Sequence, residues 1–354
     1  MIRVLIVDDY PNFRLMLRFA IEKEPDLEVV GEARNGEEAV ALCANLQPDV
    51  ITMDINMPGM DGYRAITRIM EQTPCPIIVL TGVDSQELLN ASFKALSLGA
   101  ITILPKPLRL NPSNPLIANI IYQIRTLASV KVPRRSSREQ ALPPDNNPDQ
   151  PSVSLSYLDL VPQKRHPYKI VGIGISTGGP PALQYLLKSL PVSFPIPIAI
   201  VQHISNGFVD SLVKWLFDTT GYPCKIASTG EVLEPGSAYF APDDRHLEIM
   251  PGGKASLSDD KPFGVLRPAA EYLFNSLAKN IGGEAIGVIM TGMGHDGANG
   301  LLNMHNTGAY TIAQDEKSCA IFGMPREAIK LEAVDEVLPL DLIGPRLLTI
   351  ANQK

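Results

Sequence analysis

The stretch DVITMDINMPGMDG, residues 49–62, decides the fold. It opens on an apolar run, Val50 to Met53, short enough for one strand covered on both faces. It then reaches an acid and a loop holding Pro58, Gly59 and Gly62. Working outward, RVLIV (3–7), LEVVGEA (27–33), PIIVLT (76–81) and AITIL (100–104) read as four more strands of the same kind. Helical spacing runs over 12–24, 36–46 and 86–98, and Pro25 and Gly99 end two of those helices. Short apolar strands alternating with helices predict an α/β domain with a doubly wound parallel sheet.

The second half repeats the alternation. KIVGIGIS (169–176) is a strand, followed by TGGPP and a helix over 182–190, with Pro180 and Pro181 where a missing N–H costs little. PIPIAIVQH (195–203), AIGVIMT (285–291) and AYTIAQ (309–314) are further strands, with helices expected over 271–279 and 297–306. Between 223 and 258, CKIAS, SAYFAP, HLEIM and KASLS are short strands with PG and GG turns, which suggests a hairpin insertion. The expected architecture is α/β with two doubly wound domains. The first is a five-stranded, flavodoxin-like parallel sheet, and the second a Rossmann-like, mostly parallel sheet with the insertion. Seven of the 31 prolines fall between Ala128 and Lys169, where hydrophobic periodicity fades. The boundaries read as 1–128, a Pro-rich linker 129–168, and 169–354, with a more apolar patch at 153–160 able to dock on a neighbour.

Composition bounds the partners. The 354 residues carry 31 Lys+Arg against 38 Asp+Glu, a net charge of −7. That balance weighs against nucleic acid or an anionic membrane as the main partner. The 4 cysteines are scattered without a C-x-x-C, which argues against a zinc site or disulfide framework and fits a reducing cytosol. The opening MIRVLIVDDY has too short an apolar run for a signal peptide, and no run approaches the roughly 20 residues that span a bilayer. A cytoplasmic monomer without membrane insertion is expected.

In open α/β sheets, ligands gather beyond the carboxyl ends of the strands. In the first domain those ends carry Asp8 and Asp9, Asp54, Thr81 and Lys106. Singly, Asp8 and Asp9 read as helix caps and Asp54 as the start of a turn. Jointly, three carboxylates on one rim call for a cation, and Mg²⁺ is the usual hard-oxygen choice. A carboxylate beside Mg²⁺ and a lysine can attack a phosphoryl donor, with Thr81 and Lys106 then sensing the new phosphate. Residues 1–125 resemble the receiver domain of two-component response regulators in VDD (7–9), MDINMPGMDG (53–62), LTG (80–82) and the Lys-Pro pair at 106–107. The resemblance implies that Asp54 takes a phosphoryl group from a histidine kinase. Asp9, Asp54 and the Asn56 carbonyl would hold Mg²⁺, with Asp8 assisting. Ile103 stands where the family usually has Tyr or Phe, which puts the aromatic switch coupled to Thr81 in question.

In the second domain G-I-S-T-G (174–178) fits G-x-S-x-G on a strand–turn–helix. A serine hydroxyl needs a base, and His203 ends the next strand as Ser176 ends its own. Asp296, in TGMGHDG (291–297), also follows a strand and suits an orienting carboxylate. His166, His246, His295 and His305 compete as base, His246 in PDDRH foremost. A dinucleotide fold fits poorly: Gly172-x-Gly174 lacks the third glycine, and no acid ends the second strand.

Residues 169–350 resemble the CheB chemotaxis methylesterase family in GISTGGPPAL (174–183), VQHIS (201–205), PGSAYFAPDDRH (235–246), LRPAAEYLF (266–274), GVIMTGMGHDG (287–297) and FGMPREAI (322–329). The resemblance implies Ser176 as nucleophile, His203 as base and Asp296 as orienter, with Thr177 and Met293 lining the site and their N–H groups as oxyanion donors. It implies hydrolysis of glutamate methyl esters and deamidation of glutamines on methyl-accepting chemoreceptors, with a CheA-type histidine kinase as phosphodonor and no cofactor at the esterase site. Arg267 suits either an acidic receptor surface or a structural ion pair. The long linker suggests that the first domain covers the Ser176 rim until Asp54 is phosphorylated. A DNA-binding regulator is disfavoured, since residues 169–354 hold 14 Lys+Arg against 19 Asp+Glu and no helix-turn-helix. A decayed, non-catalytic adaptor is disfavoured by the presence of Ser176, His203 and Asp296 together.

Overall fold

The computed structural model describes residues 1–82, 89, 91–107, 114–132 and 167–352. The chain divides into two compact units, Met1–Gln150 and Pro151–Lys354. Most of the predicted linker, with the 153–160 patch and His166, lies outside the described residues, as does the predicted start of the helix over 86–98.

In the first unit β1 (Ile2–Val7), β2 (Leu27–Ala33), β3 (Val50–Asp54), β4 (Ile77–Thr81) and β5 (Thr102–Pro105) form one parallel sheet in the order β2-β1-β3-β4-β5. The helices are α1 (Pro11–Glu22), α2 (Gly36–Leu46), α3 (Gly62–Gln72), α4 (Lys94–Leu98) and α5 (Pro115–Leu127). Every residue of β3 and β4 is buried, as a strand covered on both faces requires. Strand order reverses at β1, so the crevice between the ends of β1 and β3 is the switch point where α/β sheets bind ligands. Asp8 follows β1 there, and Asp54 ends β3.

The second unit has seven parallel strands in the order β14-β13-β12-β6-β7-β9-β8. They are β6 (Ile170–Ile175), β7 (Ile198–Gln202), β8 (Cys224–Ile226), β9 (Ala238–Phe240), β12 (Ala285–Ile289), β13 (Tyr310–Gln314) and β14 (Glu336–Leu338). A separate antiparallel pair, β10 (His246–Met250) with β11 (Lys254–Ser258), is the inserted hairpin. The segment 223–258 is therefore split. CKIAS and SAYFAP supply two strands of the main sheet, and only HLEIM and KASLS form the hairpin. The helices are α6 (Gly179–Ser189), α7 (Val209–Thr220), α8 (Ala270–Asn280), α9 (Ala298–Asn306), α10 (Met324–Lys330) and α11 (Leu340–Ala351). Complete burial of β6, β7, β12 and β13 reflects helices on both faces.

The glycines of Gly172-x-Gly174 serve packing, not a dinucleotide. A Cβ on Gly172 would lie 2.4 Å from Leu277 Cδ1, and one on Gly174 2.7 Å from the Cβ of Ala270. Both contacts are on α8, which settles directly on β6. Gly287 on β12 admits Leu301 of α9 in the same way, at 2.5 Å.

A comparable close approach fixes the first unit's rim. A Cβ on Gly62 would meet the Asp54 carbonyl at 2.2 Å and Ile55 Cα at 2.8 Å, both backbone atoms that cannot swing aside. Gly62→Ala should therefore lower the unfolding free energy of the first unit by about 1–3 kcal/mol, the usual cost of overpacking. Urea titration followed by a first-unit probe tests this, and an unchanged midpoint would contradict it.

Candidate functional site

The first unit's rim brings together the predicted acids. One carboxylate oxygen from each of Asp8, Asp9 and Asp54 lies within 4.8 Å of the others, with Asp9 exposed and Asp8 and Asp54 buried. Lys106, just after β5, reaches both buried acids, with Nζ 2.6 Å from Asp8 Oδ2 and 2.8 Å from Asp54 Oδ2. Burial pushes the Asp8 carboxyl up, and Asp54 adds to the rise while Lys106 opposes it. Burial works against the Lys106 ammonium, but Asp54 and Asp8 outweigh it and hold its pKa above the usual lysine value. Three carboxylates facing one ammonium leave an excess of negative charge, and hard oxygen donors at this spacing suit a divalent ion such as Mg²⁺. Asn56 is exposed two residues on, and its N–H donates to Asp54 Oδ1 at 3.3 Å. Thr81, which ends β4, shares a buried hydroxyl–hydroxyl hydrogen bond of 2.9 Å with Ser92. Ile103 is buried in the core of this unit.

The second unit's site lies at its own switch point, where β7 and β12 flank β6. Ser176 follows β6 directly, and its N–H donates to the Thr291 carbonyl at 2.9 Å. Gly178, at φ 78°, turns the chain into α6, so Ser176 lies just before a helix N-terminus with its partial positive charge. Gly292 approaches from the β12 side so closely that a Cβ there would sit 2.7 Å from that of Ser176. In register, Ile175 pairs with Gln202, so the next residues, Ser176 and His203, stand side by side at the ends of adjacent strands. The His203 N–H donates to the Ile175 carbonyl at 2.9 Å.

His203 Nε2 lies 2.7 Å from Asp296 Oδ2. Asp296 is 2% exposed and accepts two more hydrogen bonds from the first turn of α8, Ala270 N–H to Oδ2 at 2.7 Å and Glu271 N–H to Oδ1 at 3.0 Å. With Nε2 committed to the carboxylate, Nδ1 is the ring atom left to act as base. Thr177 is buried and Met293 exposed, beside Ser176 and on the loop after β12 respectively.

The other described histidines are engaged with other partners. His246 is wholly buried, its Nδ1 accepts from the Ala269 N–H at 3.2 Å, and its Nε2 donates to the Lys261 carbonyl at 3.2 Å. Its ring stacks on Tyr272 with centroids 3.7 Å apart. His295 meets the Phe263 ring edge-on, and His305 lies 3.5 Å from Asp335. Arg267 takes the structural alternative. It pairs with Asp244 at 2.8 Å and donates to the carbonyls of Asp259 and Asp260.

Residues unremarked in the sequence hold the Ser176 turn in place. Thr291 Oγ1 donates to the Thr177 carbonyl at 3.0 Å, and the Thr291 N–H donates to Gln314 Oε1 at 2.9 Å. Thr291 closes the TGMGHDG motif's strand side, but nothing in the sequence pairs it with Gln314, 23 positions away.

Residues 171–347 match the model of the CheB methylesterase family, and residues 4–114 that of the response regulator receiver domain. The chain belongs to the CheB methylesterase family. A protein-glutamate methylesterase/protein-glutamine glutaminase of Methanospirillum hungatei JF-1 is 42% identical over 335 residues, covering 94% of this chain and 93% of the other. One of Geobacter metallireducens is 41% identical over 359 residues and the full length of both chains. Among solved structures, the CheB methylesterase catalytic domain of Thermotoga maritima aligns with a TM-score of 0.50 and 38% identity, over 51% of this chain and 97% of that one. Among the described residues of this family member, no helix is long and apolar enough to cross a membrane.

The buried His246 gives a pH dependence. Burial lowers its pKa below the ordinary 6.5, with the nearby Arg267 charge also lowering it. The unfolded chain therefore takes up this proton at a higher pH than the folded one. The stabilisation is full above about pH 6.5 and is lost as pH falls below it. Between pH 7.5 and 5, the urea midpoint of the second unit should fall more steeply in the wild type than in His246→Gln. Parallel slopes would refute the role given to His246.

Proposed function

We propose that this protein is a phosphorylation-activated methylesterase of the cytoplasm. It hydrolyses glutamate methyl esters on methyl-accepting chemoreceptors and deamidates receptor glutamines, with a CheA-type histidine kinase as phosphodonor. The observation that carries the esterase reading is the His203–Asp296 pair standing beside Ser176 at the end of the adjacent strand. We assign residues 1–128 to a receiver domain, 129–168 to a linker and 169–354 to catalysis.

Ser176 is the nucleophile, His203 the base and Asp296 the orienter. Nδ1 of His203 takes the Oγ proton as Oγ attacks the γ-ester carbonyl carbon. The N–H groups of Thr177 and Met293 face the oxygen that becomes negative. The imidazolium, stabilised by Asp296, returns the proton to the departing methoxide, which leaves as methanol. Water then enters, His203 takes one of its protons as the water oxygen bonds to the acyl carbon, and the acyl–Ser176 bond breaks as the imidazolium returns that proton to Oγ, giving glutamate and the free serine hydroxyl. A glutamine side chain follows the same steps with ammonia as leaving group.

In the receiver, Asp54 accepts the phosphoryl group. Asp9, Asp54 and the Asn56 carbonyl would hold Mg²⁺ with Asp8 assisting, and the bound ion would offset phosphoryl charge. Lys106 and Thr81 then contact the phosphoryl oxygens. Thr81 then turns its one O–H to the phosphoryl oxygen and can only accept from Ser92, which supplies a local change of bonding where Ile103 offers no aromatic ring to move.

Ser176→Ala should cut ester hydrolysis by several orders of magnitude, roughly 10⁴–10⁶-fold, as loss of a triad nucleophile does. Labelled methanol release from a methylated receptor measures it, and retention of more than about a tenth of the rate would disprove the assignment.

Control by the receiver has its own test. Deleting residues 1–130 should raise the basal esterase rate, and Asp54→Asn should remove the stimulation that an acyl phosphate donor gives the full chain. A truncated chain no faster than the intact one would sink the inhibitory role of the receiver.

A further inference from the structure

Gln202 ends β7, one residue before His203, and its side chain is 5% exposed. Its Nε2 donates to the Ser176 carbonyl at 2.9 Å and to the His203 carbonyl at 2.8 Å. An amide NH₂ has two protons, so each is used, one on the main chain of each residue. This fixes the amide's orientation, since the opposite one would press an oxygen against two carbonyl oxygens.

The other end of the amide is poorly served. Gln202 Oε1 is buried without a hydrogen-bond donor among the described residues. It lies against the start of α6, where a Cβ on Gly179 would come within 2.0 Å of it. The next two residues of that turn, Pro180 and Pro181, have no N–H to offer. An apolar side chain of the same length, such as methionine, would avoid the penalty of burying that oxygen. What it would lack is the double tie between residues 176 and 203.

We propose that Gln202 is a positioning residue for ester hydrolysis. Its amide sets the separation of the Ser176 and His203 main chains, and so the approach of Oγ to the imidazole. Gln202 acts only through these two residues, and the inference rests on their assignment as nucleophile and base.

Gln202→Met keeps length and volume but removes both donors. Gln202→Glu keeps the shape and turns an oxygen toward the two carbonyls. Both should lower kcat for labelled methanol release from a receptor fragment carrying glutamate γ-methyl esters, by about 10–100-fold, the scale of a small misplacement of reacting groups. KM should stay within about twofold, because no substrate contact is lost. The melting temperature of Gln202→Met should stay within about 5 °C of the wild type, since losing the orphaned oxygen offsets losing the two donors to the Ser176 and His203 carbonyls. An unchanged kcat in either variant overturns the proposal. So does a kcat loss matched by a melting temperature that falls further than that in both variants, which would make Gln202 a structural residue only. Ser176→Ala measured alongside separates the two levels. If it stays active, the nucleophile assignment fails. If it is inactive while Gln202→Met keeps wild-type kcat, the positioning role alone fails.

Discussion

Three donors converge on one buried carboxylate, that of Asp296: the N–H groups of Ala270 and Glu271 and Nε2 of His203. Each party needs the others. The helix α8 has Ala269 in its N-cap position and so no side-chain cap of its own, and an acceptor at that position is typically worth about 1 kcal/mol. A carboxylate removed from water needs donors on both oxygens. The imidazole needs a fixed acceptor to hold its tautomer and its plane. Asp296 is therefore a helix cap supplied from another part of the chain that also holds the His203 ring, the place an orienter takes in the mechanism proposed above. Its position depends in turn on how deeply α8 settles on the sheet, which Gly172 and Gly174 set by omitting side chains.

The two units apply one topological rule to opposite electrostatic ends. Each places its chemistry where strand order reverses, at β1/β3 in the first unit and around β6 in the second. The first rim is overcharged, with three carboxylates against Lys106, and suits a group that brings cations and a phosphoryl. At the second, the Asp296 carboxylate is enclosed by N–H donors and the serine has no charged group among its hydrogen bonds, which suits a neutral ester or amide. The overall net charge of −7 thus says little about either reaction.

The fold was largely legible because parallel strands covered on both faces leave uninterrupted apolar runs, and VITMD, IIVLT and IVGIGI are such runs. Legibility failed where strands shrink to three residues. CKI and AYF carry too few residues for a period, so they read as part of the hairpin although they extend the main sheet in parallel. Strand-end acids, Ser176, His203 and Asp296 were readable because their positions follow from strand ends. The supports were not. Gln202 and Gln314 act through hydrogen bonds to residues that are distant in sequence or to main-chain atoms, and neither leaves a spacing pattern. One signal went unused: LRPAAEYLF opens a helix without Ser, Thr, Asp or Asn at its start, which marks a helix end waiting for an acceptor from elsewhere.

The same bond inventory bounds how strongly a phosphoryl group on Asp54 can act. A covalent mark shifts a two-state equilibrium only by the interactions that differ between the states. At the first unit's rim, the described bonds that a phosphoryl group on Asp54 would disturb include the Lys106 pair with Asp54 and the Thr81 bond with Ser92, beside the Lys106 pair with Asp8 and the Asn56 N–H bond to Asp54. A charged hydrogen bond is worth about 1.5–3 kcal/mol net and a neutral one about 0.5–1.5. Gaining or losing one bond of each kind supplies at most about 2–4.5 kcal/mol, which corresponds to a change in population of at most roughly 30- to 2000-fold. An activation within that range is within reach of those two kinds of bond. A larger one would draw on the other bonds at the rim or on contacts that form only in the phosphorylated state.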